Sequence, residues 1–258
     1  MQTSDNSELS PNSKVLVVSK KDLISAQMFA DQYGFDFEEE SSKNLQTGTT
    51  QYAFELHWDE GFLIFEKSKK LSIDFDHDKI NYWRIPSGKN ELLAKALGLS
   101  KGIKSVVDLT TGLGSDAVFM ARLGLEVTTL ERNPILYFIL QKGLQKSQSS
   151  IVPFLNKITW LHEDSATWLE KQPDRQIECL YFDPMYPHKK KSALPRQEMI
   201  VFRELVGEDL DSAHVLQIAL KKARRVVVKR PLKSEPLHLP VKHSFEGKVV
   251  RYDLYINE

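Results

Sequence analysis

A single cysteine, Cys179, stands in the 258 residues. An internal disulfide is therefore excluded, and so is any zinc site built on cysteine pairs. Cys179 lies in an apolar run ahead of Asp183 and reads as a small core residue, not a nucleophile. Seven histidines are scattered without metal-ligand spacing, so no metal is expected. Net charge is missing too. Lys and Arg number 35 and Asp and Glu 35, so any affinity for nucleic acid has to come from a local patch. No apolar stretch is long enough to span a bilayer, and the polar start, Met1 to Lys14, resembles neither a signal peptide nor an anchor. A cytoplasmic protein without membrane association is expected. The balance of 41% hydrophobic and 27% charged residues excludes a disordered or membrane chain.

What is present falls into two patterns. Lys14 to Ser19 reads as a buried strand, and Asp22 to Tyr33 as a helix with Leu23, Ala26, Met28, Phe29 and Ala30 on its apolar side. After the acidic run Glu38 to Glu40 and a polar loop, Tyr52 to Trp58 and Phe62 to Lys67 flank a Gly61 hairpin turn. Leu71 to Phe75 follows as another strand. Residues 1–85 thus read as a small α+β domain. Beyond a polar linker, Ser87 is placed to cap a helix that ends near Gly98.

From Ser105 onward strands and helices alternate. Strands are expected at 105–109, 126–130, 158–161, 177–182 and 225–229. Helices are expected at 116–123, 134–146 and 166–171, with a long one over 199–223 broken near Gly207. A terminal hairpin, near 241–245 and 249–256, closes the chain. Residues 86–258 thus form a doubly wound, Rossmann-like α/β domain, mostly parallel with an antiparallel edge hairpin.

Val106 to Asp116 is a strand that runs into a glycine loop, with Gly112 and Gly114, and then into a helix. Glycines allow a ligand to approach the backbone at the first strand-to-helix turn of such a sheet. Glu131 ends the next strand, where a carboxylate can hold both hydroxyls of a ribose. A dinucleotide and S-adenosylmethionine both satisfy this pattern. Asp108, at the end of the first strand, favours the second, since a pyrophosphate would be repelled there. His162 to Ser165 adds polar groups after the third strand, with Asp164 and Ser165 readable either as adenine contacts or as a helix cap.

The fourth strand delivers Asp183-Pro184-Met185-Tyr186 to the same sheet edge. Taken alone, the four residues read as an ordinary turn. Placed opposite a glycine loop, they suit presentation of a nucleobase amine. Asp183 accepts one amine hydrogen, the carbonyl of Pro184 the other, and Tyr186 stacks on the base. The basic residues Lys189, Lys190, Lys191 and Arg196, with Arg224, Arg225, Lys229, Arg230 and Lys233, are expected to track phosphates around the crevice.

The segments DLTTGLGSDA, LERNP, YFDPMYPHKKKSAL and VVVKRP resemble the ribosomal RNA small subunit methyltransferase J family, which are class I S-adenosylmethionine-dependent enzymes. The likeness runs from about Gly88 to the C-terminus. It implies a 16S rRNA guanine-N2 methyltransferase whose partner is 16S rRNA or the small ribosomal subunit. It also implies cofactor contacts from Ser115, Asp116, Glu131, Arg132, Asp164, Ser165 and Asp183. Methylation of adenine N6 or cytosine N4, and a non-catalytic RNA-binding assembly factor, stand as the alternatives.

Overall fold

Five successive buried residues, Val15–Ser19, form the first strand, β1. The computed structural model describes residues 15–40, 52–65, 69–76, 91–148, 151–185, 205–206 and 211–256. Their contacts make two compact units, one from segments 1–75, 133–147 and 187–208, the other from 76–132, 148–186 and 209–258. The expected capping residue Ser87 and the segment 199–204 lie outside the described residues.

In the first unit, α1 (Leu23–Tyr33) connects β1 to a parallel neighbour, β2 (Asp36–Glu39). Asp22 caps the helix by accepting from the backbone N–H of Ser25, and Gly34 ends it in the left-handed region at φ 69°. Its buried side is narrow, only Ala26 and Ala30. Met28, expected on that side, is 66% exposed. β3 (Phe54–His57) runs parallel to β1, and β4 (Phe62–Phe65) and β5 (Lys69–Leu71) then alternate in direction, giving the order β2-β1-β3-β4-β5. The strand expected over Leu71 to Phe75 is instead Lys69–Leu71, set by pairing with β4. Leu71 pairs with Leu63, one residue short of the start of β4. Ile73 and Phe75 remain buried, as core plugs outside the sheet.

In chain order the second unit holds α2 (Leu92–Leu97), β6 (Ser105–Asp108), α3 (Ser115–Arg122), β7 (Glu126–Leu130), α5 (Val152–Leu155), β8 (Ile158–Leu161) and α6 (Ser165–Glu170). There follow β9 (Leu180–Phe182), α7 (Ser212–Lys222), β10 (Arg225–Pro231), β11 (His243–Glu246) and β12 (Val250–Ile256). Between β7 and α5 the chain makes α4 (Pro134–Lys146), which belongs to the first unit, where Trp58 stacks on Phe138 at 4.2 Å. The seven strands lie in the order β11-β12-β10-β9-β6-β7-β8, with β12 antiparallel to both neighbours and all other pairings parallel. Leu180, Phe182, Leu216, Ala219, Val226 and Val228 are among the side chains that pack one face of this sheet. Cys179 is fully buried, as expected of a core residue.

The site follows from this order. The chain runs outward from β6 to β7 and β8, then returns to the other side of β6 as β9. At such a switch point the loops after two adjacent strands part, leaving a crevice at the carboxyl ends.

Candidate active site

β6 ends at Asp108, which is 1% exposed and accepts from the backbone N–H of Thr110 at 3.0 Å. Burial pushes the Asp108 carboxyl up to about 8, with the charges of Asp116 and Asp183 adding to it and the Thr110 bond opposing it. The loop then turns through Gly112 and Gly114 at φ 54° and 80°, a region that favours glycine. Glu131, just past β7, accepts from the N–H of Gly112 at 2.9 Å, and Leu130 accepts from Thr111 at 3.1 Å. Loop and acidic residue, linked in the sequence only by spacing, are thus joined directly.

Helix α3 begins at Ser115, and its first turn carries Asp116. The Oδ2 of Asp116 accepts from the hydroxyl of Tyr181 at 2.5 Å and from Lys229 Nζ at 2.8 Å. Lys229 Nζ lies also 2.8 Å from Oδ2 of Asp183, so one ammonium bridges two carboxylates. Burial alone would lower the Lys229 value, but Asp116 and Asp183 hold it well above the ordinary lysine range. Burial would likewise raise Asp116, yet the charge and hydrogen bond of Lys229 and the Tyr181 bond bring it below its ordinary value. Burial first, then the two carboxylates, drives Tyr181 well above the phenol range. The backbone N–H of Asp183 donates to the hydroxyl of Thr110 at 2.8 Å, closing the network between β6 and β9.

The third strand end is arranged more structurally. Asp164 caps α6 by accepting from the N–H of Thr167 at 2.9 Å, and the Ser165 hydroxyl donates to the carbonyl of Leu109. Arg132 pairs with Asp211 at 2.8 Å and approaches Asp164 at 4.0 Å. Burial lowers His162, whose ring lies 3.3 Å from the Arg132 carbonyl.

Asp108, Gly112, Gly114, Ser115, Asp116, Glu131, Asp164, Ser165 and Asp183 all follow or flank the carboxyl ends of β6, β7, β8 and β9. Pro184 is buried beside Asp183. Tyr186, Lys189, Lys190, Lys191 and Arg196 lie outside the described residues. Three residues expected on the phosphate-tracking surface stand elsewhere. Lys229 points at carboxylates. Arg230 is 7% exposed and donates to the carbonyl of Glu235. Arg225 opens β10, at the opposite end of that strand from Lys229, and its Nε donates to the carbonyl of Ala96 at 2.6 Å. Thr110, Tyr181 and the pairing of Lys229 escaped sequence reasoning. The pairing of Lys229 follows from the sheet: Val228 pairs with Phe182 in the parallel register, which puts the next residues, Lys229 and Asp183, side by side.

A charged or polar ligand fits the loop. Asp108 Oδ2 and Thr111 Oγ1 are buried without a hydrogen-bond partner among the described residues, and a buried polar atom left so costs free energy until it is met.

Sheet order, glycine loop and acidic second strand end together define a class I S-adenosylmethionine-dependent methyltransferase fold. A solved structure of a SAM-dependent methyltransferase from Neisseria gonorrhoeae is 26% identical, covers 94% of this chain and 96% of its own, and superposes with a TM-score of 0.66. Residues 28–257 match the family model "Putative SAM-dependent methyltransferase". Proteins named ribosomal RNA small subunit methyltransferase J are similar over most of the chain. That of Bdellovibrio bacteriovorus is 47% identical, over 80% of this chain and 82% of its own. That of Shewanella loihica is 39% identical, over 79% and 83%. The chain belongs to the ribosomal RNA small subunit methyltransferase J family, and its cofactor is S-adenosylmethionine.

Proposed function

We propose that this protein transfers a methyl group from S-adenosylmethionine to the exocyclic N2 of a guanine in the 16S rRNA of the small ribosomal subunit. The observation that carries this reading is Asp183, whose backbone N–H is tethered to Thr110 at the switch point and whose carboxylate pairs with Lys229. It stands in a chain whose relatives are named for small-subunit rRNA methylation. Asp108, Gly112, Gly114, Ser115 and Asp116 hold the cofactor from the loop side, with Glu131 and Arg132 at the ribose and Asp164 and Ser165 at the adenine. When bound, S-adenosylmethionine would supply an electrophilic sulfonium methyl whose carbon–sulfur bond breaks as the nitrogen–carbon bond forms, the thioether being the leaving group.

The N2 of guanine is a poor nucleophile because its lone pair is delocalised into the ring. Asp183 and the carbonyl of Pro184 accept its two hydrogens, so the lone pair is directed out of the base plane. Positive charge then develops on nitrogen, where the carboxylate stabilises it, and the surplus proton passes to Asp183 and on to solvent. Positioning carries most of the effect, and no strong base is needed. Paired guanine hides its amine, so the target is unpaired or flipped out, with Tyr186 stacked on it. Lys189, Lys190, Lys191 and Arg196 follow the phosphates, which makes RNA binding salt-dependent.

The test is methyl transfer from labelled cofactor to small-subunit particles isolated from cells without the protein, followed by digestion to nucleosides. Label in N2-methylguanosine is expected. Label in a methylated adenosine or cytidine, or no transfer, overturns the reading.

A further inference from the structure

We infer that Lys229 is a positioning residue for methyl transfer, one that holds the Asp183 carboxylate charged and fixes its rotation toward the amine. The inference rests on the role proposed above for Asp183. Lys229 lies at the carboxyl end of β10, beside Asp183 in register, and its ammonium touches Asp116 and Asp183 at 2.8 Å each. A lysine serving only to meet RNA phosphate has no need of two carboxylate partners. Its side chain is 23% exposed, so these contacts are only partly screened by water.

Titratable groups reach the pair from four described elements: Asp108 from β6, Asp116 from α3, Tyr181 from β9 and Tyr252 from β12. Burial pushes Tyr252 up to about 12, Tyr181 well above the phenol range and the Asp108 carboxyl up to about 8. Asp116 and Asp183 are the carboxylates that the Lys229 ammonium touches among the described residues. Without the ammonium, Asp116 and Asp183, whose Oδ2 atoms both lie 2.8 Å from the same nitrogen, face one another as like charges, which favours uptake of a proton by one of them. A protonated Asp183 is no longer a charge-stabilising acceptor for the amine.

The experiment compares wild type, Asp183→Ala, Lys229→Met and Lys229→Arg in single-turnover methyl transfer to small-subunit particles across pH, with calorimetric S-adenosylmethionine binding as the control for folding. In Lys229→Met the rate is expected to fall on the order of 10–100-fold, as for a misplaced catalytic group. The acid limb of its pH–rate profile is expected to move up by about one to three units. Lys229→Arg should return the acid limb to its wild-type position. A Lys229→Met enzyme that is merely less stable, with rate and acid limb unchanged, overturns the role of Lys229. Should Lys229→Met fail to bind cofactor, Lys229→Gln is read by the same criteria. An inactive wild type, or wild-type rates in Asp183→Ala, would instead overturn the methyl-transfer reading beneath it.

Discussion

The backbone N–H of Asp183 donates to the side-chain hydroxyl of Thr110 at 2.8 Å, and Thr110 in turn donates its own N–H to Asp108 at 3.0 Å. This relay spans the two strands that part at the switch point, so the carboxylate proposed to meet the substrate is referenced to the loop proposed to hold the cofactor. Thr110→Val keeps the shape and removes the acceptor. A partly buried N–H is then left unmet at about 1–3 kcal/mol, and the carboxylate loses its reference. Methyl transfer is expected to slow roughly 10–100-fold. Asp183→Ala, which removes the group itself, should cost ~10²–10³ in rate. Calorimetric affinity for S-adenosylmethionine should change less than turnover in Thr110→Val. Equal turnover in Thr110→Val and wild type would break the relay.

Asp108 gives a pH-dependent stability. Its folded-state value, about 8, lies above the ordinary 3.8, so the folded chain keeps a proton that the unfolded chain sheds between those two values. The contribution is complete below the unfolded value and is lost as pH rises through the folded one. Its slope is at most ~1.4 kcal/mol per pH unit. Asp108→Asn keeps a carbonyl for the Thr110 N–H but cannot ionise. Urea unfolding at pH 5, 6.5 and 8 should show a flatter decline in the variant than in wild type. Parallel curves would mean that Asp108 titrates alike in both states.

Much of this arrangement was legible in the residues. β7 and α4 stand where they were expected, at Glu126–Leu130 and Pro134–Lys146, with Pro134 opening the helix; the structure adds that Asn133 accepts from two of its first N–H groups. The glycine loop and Glu131 were also readable, since both depend on where strands end. β2 was not. Its four residues, Asp36–Glu39, contain one apolar side chain, and an exposed edge strand needs no alternation. The partner of Lys229 was hidden for another reason: it depends on the register between two strands far apart in the chain, which no local pattern encodes.

Glu131 should act on binding and not on the chemical step. It already accepts the Gly112 N–H at 2.9 Å, and a ribose hydroxyl is the further donor proposed for it. One charge-assisted bond is worth about 1.5–3 kcal/mol, or roughly 10- to 150-fold in Kd. Glu131→Ala should therefore weaken S-adenosylmethionine binding by that factor in calorimetry, and saturating cofactor should restore most of the transfer rate. A rate loss that saturation does not recover would place Glu131 in the chemistry.

Gly143 sets two effects against each other within the first unit. It lies inside α4, where alanine is worth about 1 kcal/mol more than glycine in helix propensity. A Cβ at this position would stand 2.8 Å from the carbonyl oxygen of Ile73 and 3.0 Å from that residue's Cβ and Cγ2. The near atom is backbone, which cannot swing aside as a side-chain tip does, and overpacking of this kind costs about 1–3 kcal/mol. The clash should win. Gly143→Ala is expected to lower the urea midpoint with an unchanged slope, a net loss of up to about 2 kcal/mol. An equal or higher midpoint would mean that α4 and Ile73 move apart without cost, leaving the helix propensity as the deciding effect.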